Sequence, residues 1–229
     1  MYILIFLFTL AVSLFASSRV KRAIAKYSRV PASGGYTGAQ TAQLILNSQG
    51  IHDVQITAGE GALGDHYDPI HKQLVLSRDI YSGTSTAAVG IAAHECGHAL
   101  QHQQAYAPLQ MRMAAVGATQ FAGQIVMVLP FLFLFGHMIS MYTGFMAMAI
   151  AWGVIMLFNL VTLPVEFDAS RRAKAILPSL GVIRGADETM AVNKVLNAAA
   201  WTYVAAFLTS LLYFLMYALP LLLGGGRRR

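Results

Sequence analysis

Two histidines four residues apart, with a glutamate beside the first, are the residues of this sequence best suited to chemistry: His94, Glu95 and His98, in the run HECGH. On a helix, positions i and i+4 lie on one face, one turn apart, so both imidazoles can point at one ion. Glu95 then stands where it touches a water on that ion rather than the ion itself. Two neutral imidazoles, an acid/base carboxylate and a metal that makes water nucleophilic near neutral pH are the equipment of metal-assisted hydrolysis. The expected cofactor is Zn2+, one per chain.

The flanking residues predict the helix that such a pair needs. Ser85 is a plausible N-cap, and Thr86 to about Gln104 has no Pro and few strong breakers before Pro108. Ala87, Ala88, Gly90, Ala92, Ala93, Gly97 and Ala99 are small enough to let it approach its neighbours closely. Cys96 falls roughly 200° round the helix from His94 and is expected to pack, not to bind metal. His102 extends the row, but it lies roughly 12 Å along the axis from His94. Bonds of about 2.0 Å cannot draw three rings of a straight helix onto one tetrahedral ion. The third ligand must come from elsewhere, and His102 is expected beside the site or on the surface.

Composition places the helix in a membrane protein. Of 229 residues, 56% are hydrophobic and only 11% charged, and the apolar residues come in long blocks. The net charge of +6 does not point to nucleic acid, because the basic residues cluster beside those blocks and no DNA- or RNA-binding motif is present. A single cysteine excludes an internal disulfide.

The apolar blocks and the polar stretches between them divide the chain. Residues 1–18 form an uncleaved N-terminal anchor, since the charge of Arg19, Lys21, Arg22, Lys26 and Arg29 follows the apolar run instead of preceding it. Residues 19–112 are a cytosolic domain containing the HECGH helix. Within it, 38–48 reads as a short helix, and 54–57 and 72–77 alternate like a pair of half-buried strands. The stretch 64–69 between them reads as a turn. One edge of that pair could receive an extended peptide as an added strand, or simply cover the helix. Residues 113–163 make a transmembrane hairpin turning at 137–140. Residues 164–197 return to the cytosol, and 198–229 hold a last span and a basic tail.

A third ligand is available where the hairpin ends. Glu166 and Asp168 lie in PVEFDASRRAK at 164–174, directly after the third apolar block. Glu166 could complete a His, His, Glu site with water in the fourth position, or pair with Arg171 or Arg172 on a solvated face. Asp168 could orient a ligand imidazole, or be the ligand itself if the helix is turned differently. Donors to one ion must lie on one side of the membrane, so an even number of spans must separate His98 from Glu166, and the sequence supplies two. The basic residues at 19–29, Arg112 and 171–174 fall on that shared side, which the positive-inside rule makes cytoplasmic. The C-terminal Arg227, Arg228 and Arg229 then fall outside, against the rule.

With these residues in view the chain resembles a family, the neutral zinc metallopeptidases of bacterial membranes. The likeness runs from about Tyr36 to Tyr213. It is carried by HYDP at 66–69, Leu76 and Ser77 through Tyr81, AAHECGHA at 92–99 with Gln101, YAPL at 106–109, PVEFDASRR at 164–172 and LNAAAWTYV at 196–204. The resemblance implies zinc on His94, His98 and Glu166, and proteolysis as the activity. More loosely, the site is similar to that of the membrane gluzincins that include the CAAX prenyl proteases and the heat-shock membrane proteases. Those carry an acidic or polar residue four positions after the third ligand, where this chain has Ser170.

The expected fold is thus a mostly α polytopic membrane protein, with a zincin-like α+β catalytic domain (a short strand pair plus the HECGH helix) and about four transmembrane helices. The expected function is a membrane-bound zinc metalloendopeptidase of the cell membrane, its site facing the cytoplasm and its partners the bilayer and a peptide or membrane-protein substrate. Glu95 is the general base, and His66, Tyr67, Arg171 and Tyr203 are candidate donors to the oxyanion. Two other outcomes are carried forward. An intramembrane protease would bury the helix in lipid, at a high cost for Gln101, His102, Gln103 and Gln104. A non-catalytic scaffold would close the site with a fourth protein ligand such as His66 or His102.

Overall fold

The computed structural model describes residues 2–59, 64–136 and 140–224. The turn at 137–139 and the basic tail at 225–229 lie outside the described residues. Mostly helical, the chain has four helices long and apolar enough to cross a membrane among the described residues. These are α1 (Tyr2–Tyr27), α5 (Ala107–Gly136), α6 (Met141–Ser179) and α7 (Gly185–Gly224). Between α1 and α5 lie α2 (Gly38–Ser48), β1 (Gln55–Gly59), β2 (His66–Asp68), β3 (Gln73–Ser77), α3 (Arg78–Ser82) and α4 (Thr86–Gln103).

Two compact units divide these elements. One draws on Met1–Phe15, Gln110–Leu163 and Tyr203–Arg229. Within it Ile3, Leu4 and Phe131 are exposed, as suits side chains that face lipid. One polar side chain joins two of its helices: Asn159 Nδ2 donates to Ala206 O at 3.2 Å and to Ser210 Oγ at 3.1 Å. Trp152 stacks on Tyr213 with ring centroids 4.5 Å apart.

The other unit comprises Ala16–Leu109 and Pro164–Thr202. Its core is built around α4, whose Ala88, Val89, Ala92, Ala93 and Cys96 are buried with Ile45 and Leu46 of α2, Leu74 and Leu76 of β3, and Leu177, Val192 and Leu196. The sheet has the order β1-β3-β2, with β1 parallel and β2 antiparallel to β3. The expected strand pair is therefore a three-stranded sheet, and the stretch read as a turn contributes its third strand. Three residues, none of them fully buried, are too few to show alternation.

Local chemistry explains the boundaries of α2 and α4. Thr37 caps α2 in a reciprocal box with Gln40, and Gly50 behind its end takes a left-handed φ of 69°. Ser85 caps α4 by accepting from Ala88 N at 3.2 Å. The start of α4 is also tied to the exit of α1, with Thr86 N donating to Val30 O at 2.8 Å and Thr86 Oγ1 to Tyr27 O at 3.2 Å.

Candidate metal centre

His94 and His98 project from the middle of α4, and Glu166 from α6 two residues past Pro164. Glu166 Oε2 lies 3.2 Å from His94 Nε2 and 3.6 Å from His98 Nε2. All three donor atoms fall within 4.8 Å of one another. The side chains are 13%, 11% and 2% exposed respectively. Two donors each 2.0–2.1 Å from a tetrahedral zinc stand about 3.3 Å apart, which is the spacing found between carboxylate and imidazoles. Burial works against charge on His98, yet Glu166 and Glu95 together raise its pKa above the ordinary imidazole value. A buried site facing two carboxylates is one whose field a divalent cation satisfies, so these residues fit zinc.

The approach of the two helices depends on Gly97. A Cβ there would come 2.7 Å from Ala169 O and 2.9 Å from Ala169 Cα, both backbone atoms of α6. Only glycine lets the backbone carrying Glu166 lie this close to the backbone carrying the histidines. Gly97→Ala is expected to cost about 1–3 kcal/mol, as overpacking does, and to weaken zinc binding by displacing Glu166. Thermal unfolding and a zinc competition titration measure the two effects. Wild-type values in both would show that the contact does not set the helix spacing.

Each ligand imidazole is held at its other nitrogen. His98 Nδ1 lies 3.0 Å from Gln101 Oε1, and His94 Nδ1 lies 3.1 Å from Ser170 Oγ. With Nδ1 engaged, Nε2 of each ring is left for the metal. Asp168 reaches His98 only through Gln101, whose Nε2 donates to Asp168 Oδ2 at 3.0 Å and to Val165 O at 2.8 Å. Arg171 and Arg172 both bind the Asp168 carboxylate, Arg172 through Nε at 2.5 Å. Sequence spacing held the signal for both imidazole partners. Gln101 is three residues after His98, and Ser170, the position that departs from the gluzincin pattern, is four after Glu166. Neither position reveals its target until the two helices are docked.

Glu95 is 8% exposed, and no hydrogen bond or ion pair engages its carboxylate among the described residues. A buried carboxylate without a protein partner is suited to handling a proton on a reacting water. Cys96 points into the core, its Sγ 3.7 Å from Ala42 O, and burial pushes its thiol well above the usual range, with Glu95 adding to the effect. It is a packing residue.

The candidate oxyanion donors come from three elements, β2, α6 and α7. Tyr67 lies on β2, and its hydroxyl is 2.9 Å from His102 Nδ1. Burial first, then Asp53 and Asp68, push the Tyr67 phenol up to about 12, so it keeps its proton throughout the working range. His102 lies seven residues after Glu95, on nearly the same face of α4. His66 Nδ1 donates to Gly64 O at 2.8 Å, and Arg171 is bound to Asp168. Tyr203 belongs to the other unit. Neither His66 nor His102 joins the three metal donors. A cavity of about 570 Å3 is lined by Ile24, Arg29, Asp65, Ser77 and Ile91 among others. Ile91 is one helical turn before Glu95, on the same face of α4.

Comparisons with known proteins point the same way. A family model described as "Putative neutral zinc metallopeptidase" matches residues 2–221. The chain is 42% identical over 224 residues to a Bacillus subtilis (strain 168) protein named "Putative membrane protease YugP", with 98% of each chain covered. No solved structure matches the chain.

Proposed function

The chain belongs to the neutral zinc metallopeptidase family so described, and from that footing we propose that it is a membrane-bound zinc endopeptidase whose active site faces the cytoplasm. The observation that carries the proposal is the meeting of two imidazoles with a carboxylate 72 residues beyond the first of them, beside a Glu95 that has no hydrogen-bond or ion-pair partner among the described residues. His94 and His98 would hold zinc through Nε2, and Glu166 through a carboxylate oxygen. When bound, zinc supplies a Lewis acid for the scissile carbonyl and brings the pKa of its water toward ~7. Glu95 accepts the proton of the attacking water and passes it to the leaving amine as the C–N bond breaks. Ser170 and Gln101 keep the two rings oriented while this happens.

Three protein donors leave a fourth corner for water, which favours catalysis over a closed structural site. The basic residues at 19–29, Arg112 and 171–174 support a cytoplasmic orientation. A membrane-anchored protease of that orientation meets cytosolic loops and juxtamembrane segments of other membrane proteins, and these are its proposed substrates.

The test uses the full chain purified in detergent. Metal analysis should give one zinc per chain, and an unstructured casein-like substrate should be cut, with the activity removed by a chelator and restored by zinc. A chain that binds zinc tightly yet cuts neither this substrate nor detergent-solubilised membrane proteins would support the scaffold instead. Protection of a cysteine introduced near residue 102 from aqueous reagents would support an intramembrane site.

A further inference from the structure

We propose that Gln101 is a positioning residue that fixes His98 in a single tautomer, with the direction of its amide set by Val165 and Asp168. A glutamine side chain has a donating end and an accepting end, and a half-turn exchanges them. Gln101 is fully buried, so each end must find a protein partner. One end lies 2.8 Å from Val165 O and 3.0 Å from Asp168 Oδ2. A backbone carbonyl and an ionised carboxylate can only accept, so the NH2 group must face them. Turning the amide over would set its oxygen against two acceptors at once. The oxygen therefore faces His98 Nδ1 at 3.0 Å, and because it can only accept, that nitrogen must carry the hydrogen. Nε2 of His98 keeps its lone pair, on the side of Glu166.

Asp168 is kept in the accepting, ionised form by Arg171 and Arg172, and Arg172 is braced by Gln104 Oε1 at 2.7 Å. The chain of polarity thus begins at an exposed arginine and ends at a buried ligand. His94 has no equivalent. Its Nδ1 meets the Ser170 hydroxyl, which can donate or accept, while its Nε2 lies 3.2 Å from Glu166 Oε2, an acceptor that favours hydrogen on Nε2. The two imidazoles are unequal: Gln101 sets the hydrogen of neutral His98 on Nδ1, whereas Glu166 favours a hydrogen on His94 Nε2 that a metal would have to displace.

The metal-free arm of the test does not depend on the zinc peptidase reading; only the affinity arm rests on it. Nitrogen-15 spectra of histidine-labelled, metal-free full chain in detergent, at a pH where the imidazoles are neutral, should show His98 as one tautomer with hydrogen on Nδ1. Gln101→Met, close in size but without the amide, should give a mixture at His98 and weaken zinc by about 10–100-fold. Ser170→Ala should leave the His98 signal unchanged and weaken zinc less than Gln101→Met does. A single Nδ1–H tautomer and unchanged affinity in Gln101→Met would overturn the proposal. So would a mixture of tautomers at His98 in the unaltered chain. Failure to cut any substrate, with the tautomer pattern intact, would count only against the proposed activity.

Discussion

Glu95→Gln is expected to leave one zinc bound per chain while lowering kcat by about 10²–10⁴-fold, the range a positioned general base contributes. The amide has the shape of the acid but cannot take a proton, so the change removes one function and little else. Wild-type structure supports that selectivity. Glu95 is buried, yet engages no hydrogen bond or ion pair among the described residues, so no scaffold contact is lost with its charge. It is also not among the three donors that converge. Its effect should therefore fall on kcat, with little change in the zinc dissociation constant. Cleavage of a fixed casein-like substrate, measured beside zinc content on the same preparations, separates the two. A Glu95→Gln protein that holds zinc and cuts at the wild-type rate would remove Glu95 from the chemistry and leave the histidines as a bare pattern.

What the sequence could reveal of this site, and what it could not, follows from the range of each interaction. The α4 helix was legible because its cap at Ser85, its small residues and the i, i+4 histidines are all local signals. The membrane helices were legible through their length and apolarity, although their ends were not. The first was expected to cover residues 1–18, and α1 continues to Tyr27, because lysine and arginine are good helix formers and nothing interrupts them before Pro31. The third apolar block was expected to end at 163 with a helix emerging from it to carry Glu166 and Asp168, and α6 runs on through Pro164 and Pro178 to Ser179. A proline inside a helix costs a hydrogen bond, but it need not end one that packing holds on both sides. That continuity matters here, since it carries Glu166, Asp168 and Ser170 on one rigid element. Helical spacing sends Asp168 to a different face from Glu166, and the structure gives that face to Gln101 and the arginines. The spacing of Gln101 and Ser170 was visible in sequence, but not what their side chains meet. Their partners lie 64 and 76 residues away and are chosen by the docking of α4 on α6 at Gly97.

The same docking makes Glu166→Ala the most damaging change to the metal itself. Glu166 is 2% exposed and its Oε2 lies 3.2 and 3.6 Å from the two Nε2 atoms, so its removal deletes a third of the donor set and that set's only negative charge. Two imidazoles on one helix remain, and they are neutral ligands with nothing to close the opposite side. A site of three protein ligands reduced to two should hold less than one zinc per chain after dialysis, and activity should fall with zinc content. The apo protein should change far less, because the core around Ala92, Ala93, Cys96 and Leu177 does not use the carboxylate. A pairing of Glu166 with Arg171 or Arg172 on a solvated face would predict the opposite: full zinc content and near wild-type cleavage in Glu166→Ala. Glu166→Gln distinguishes charge from shape, since an amide oxygen can still ligate weakly. Partial zinc occupancy there, with little in the alanine variant, is expected if the carboxylate is a ligand. Equal and full occupancy in both would place the third donor elsewhere and undo the assignment.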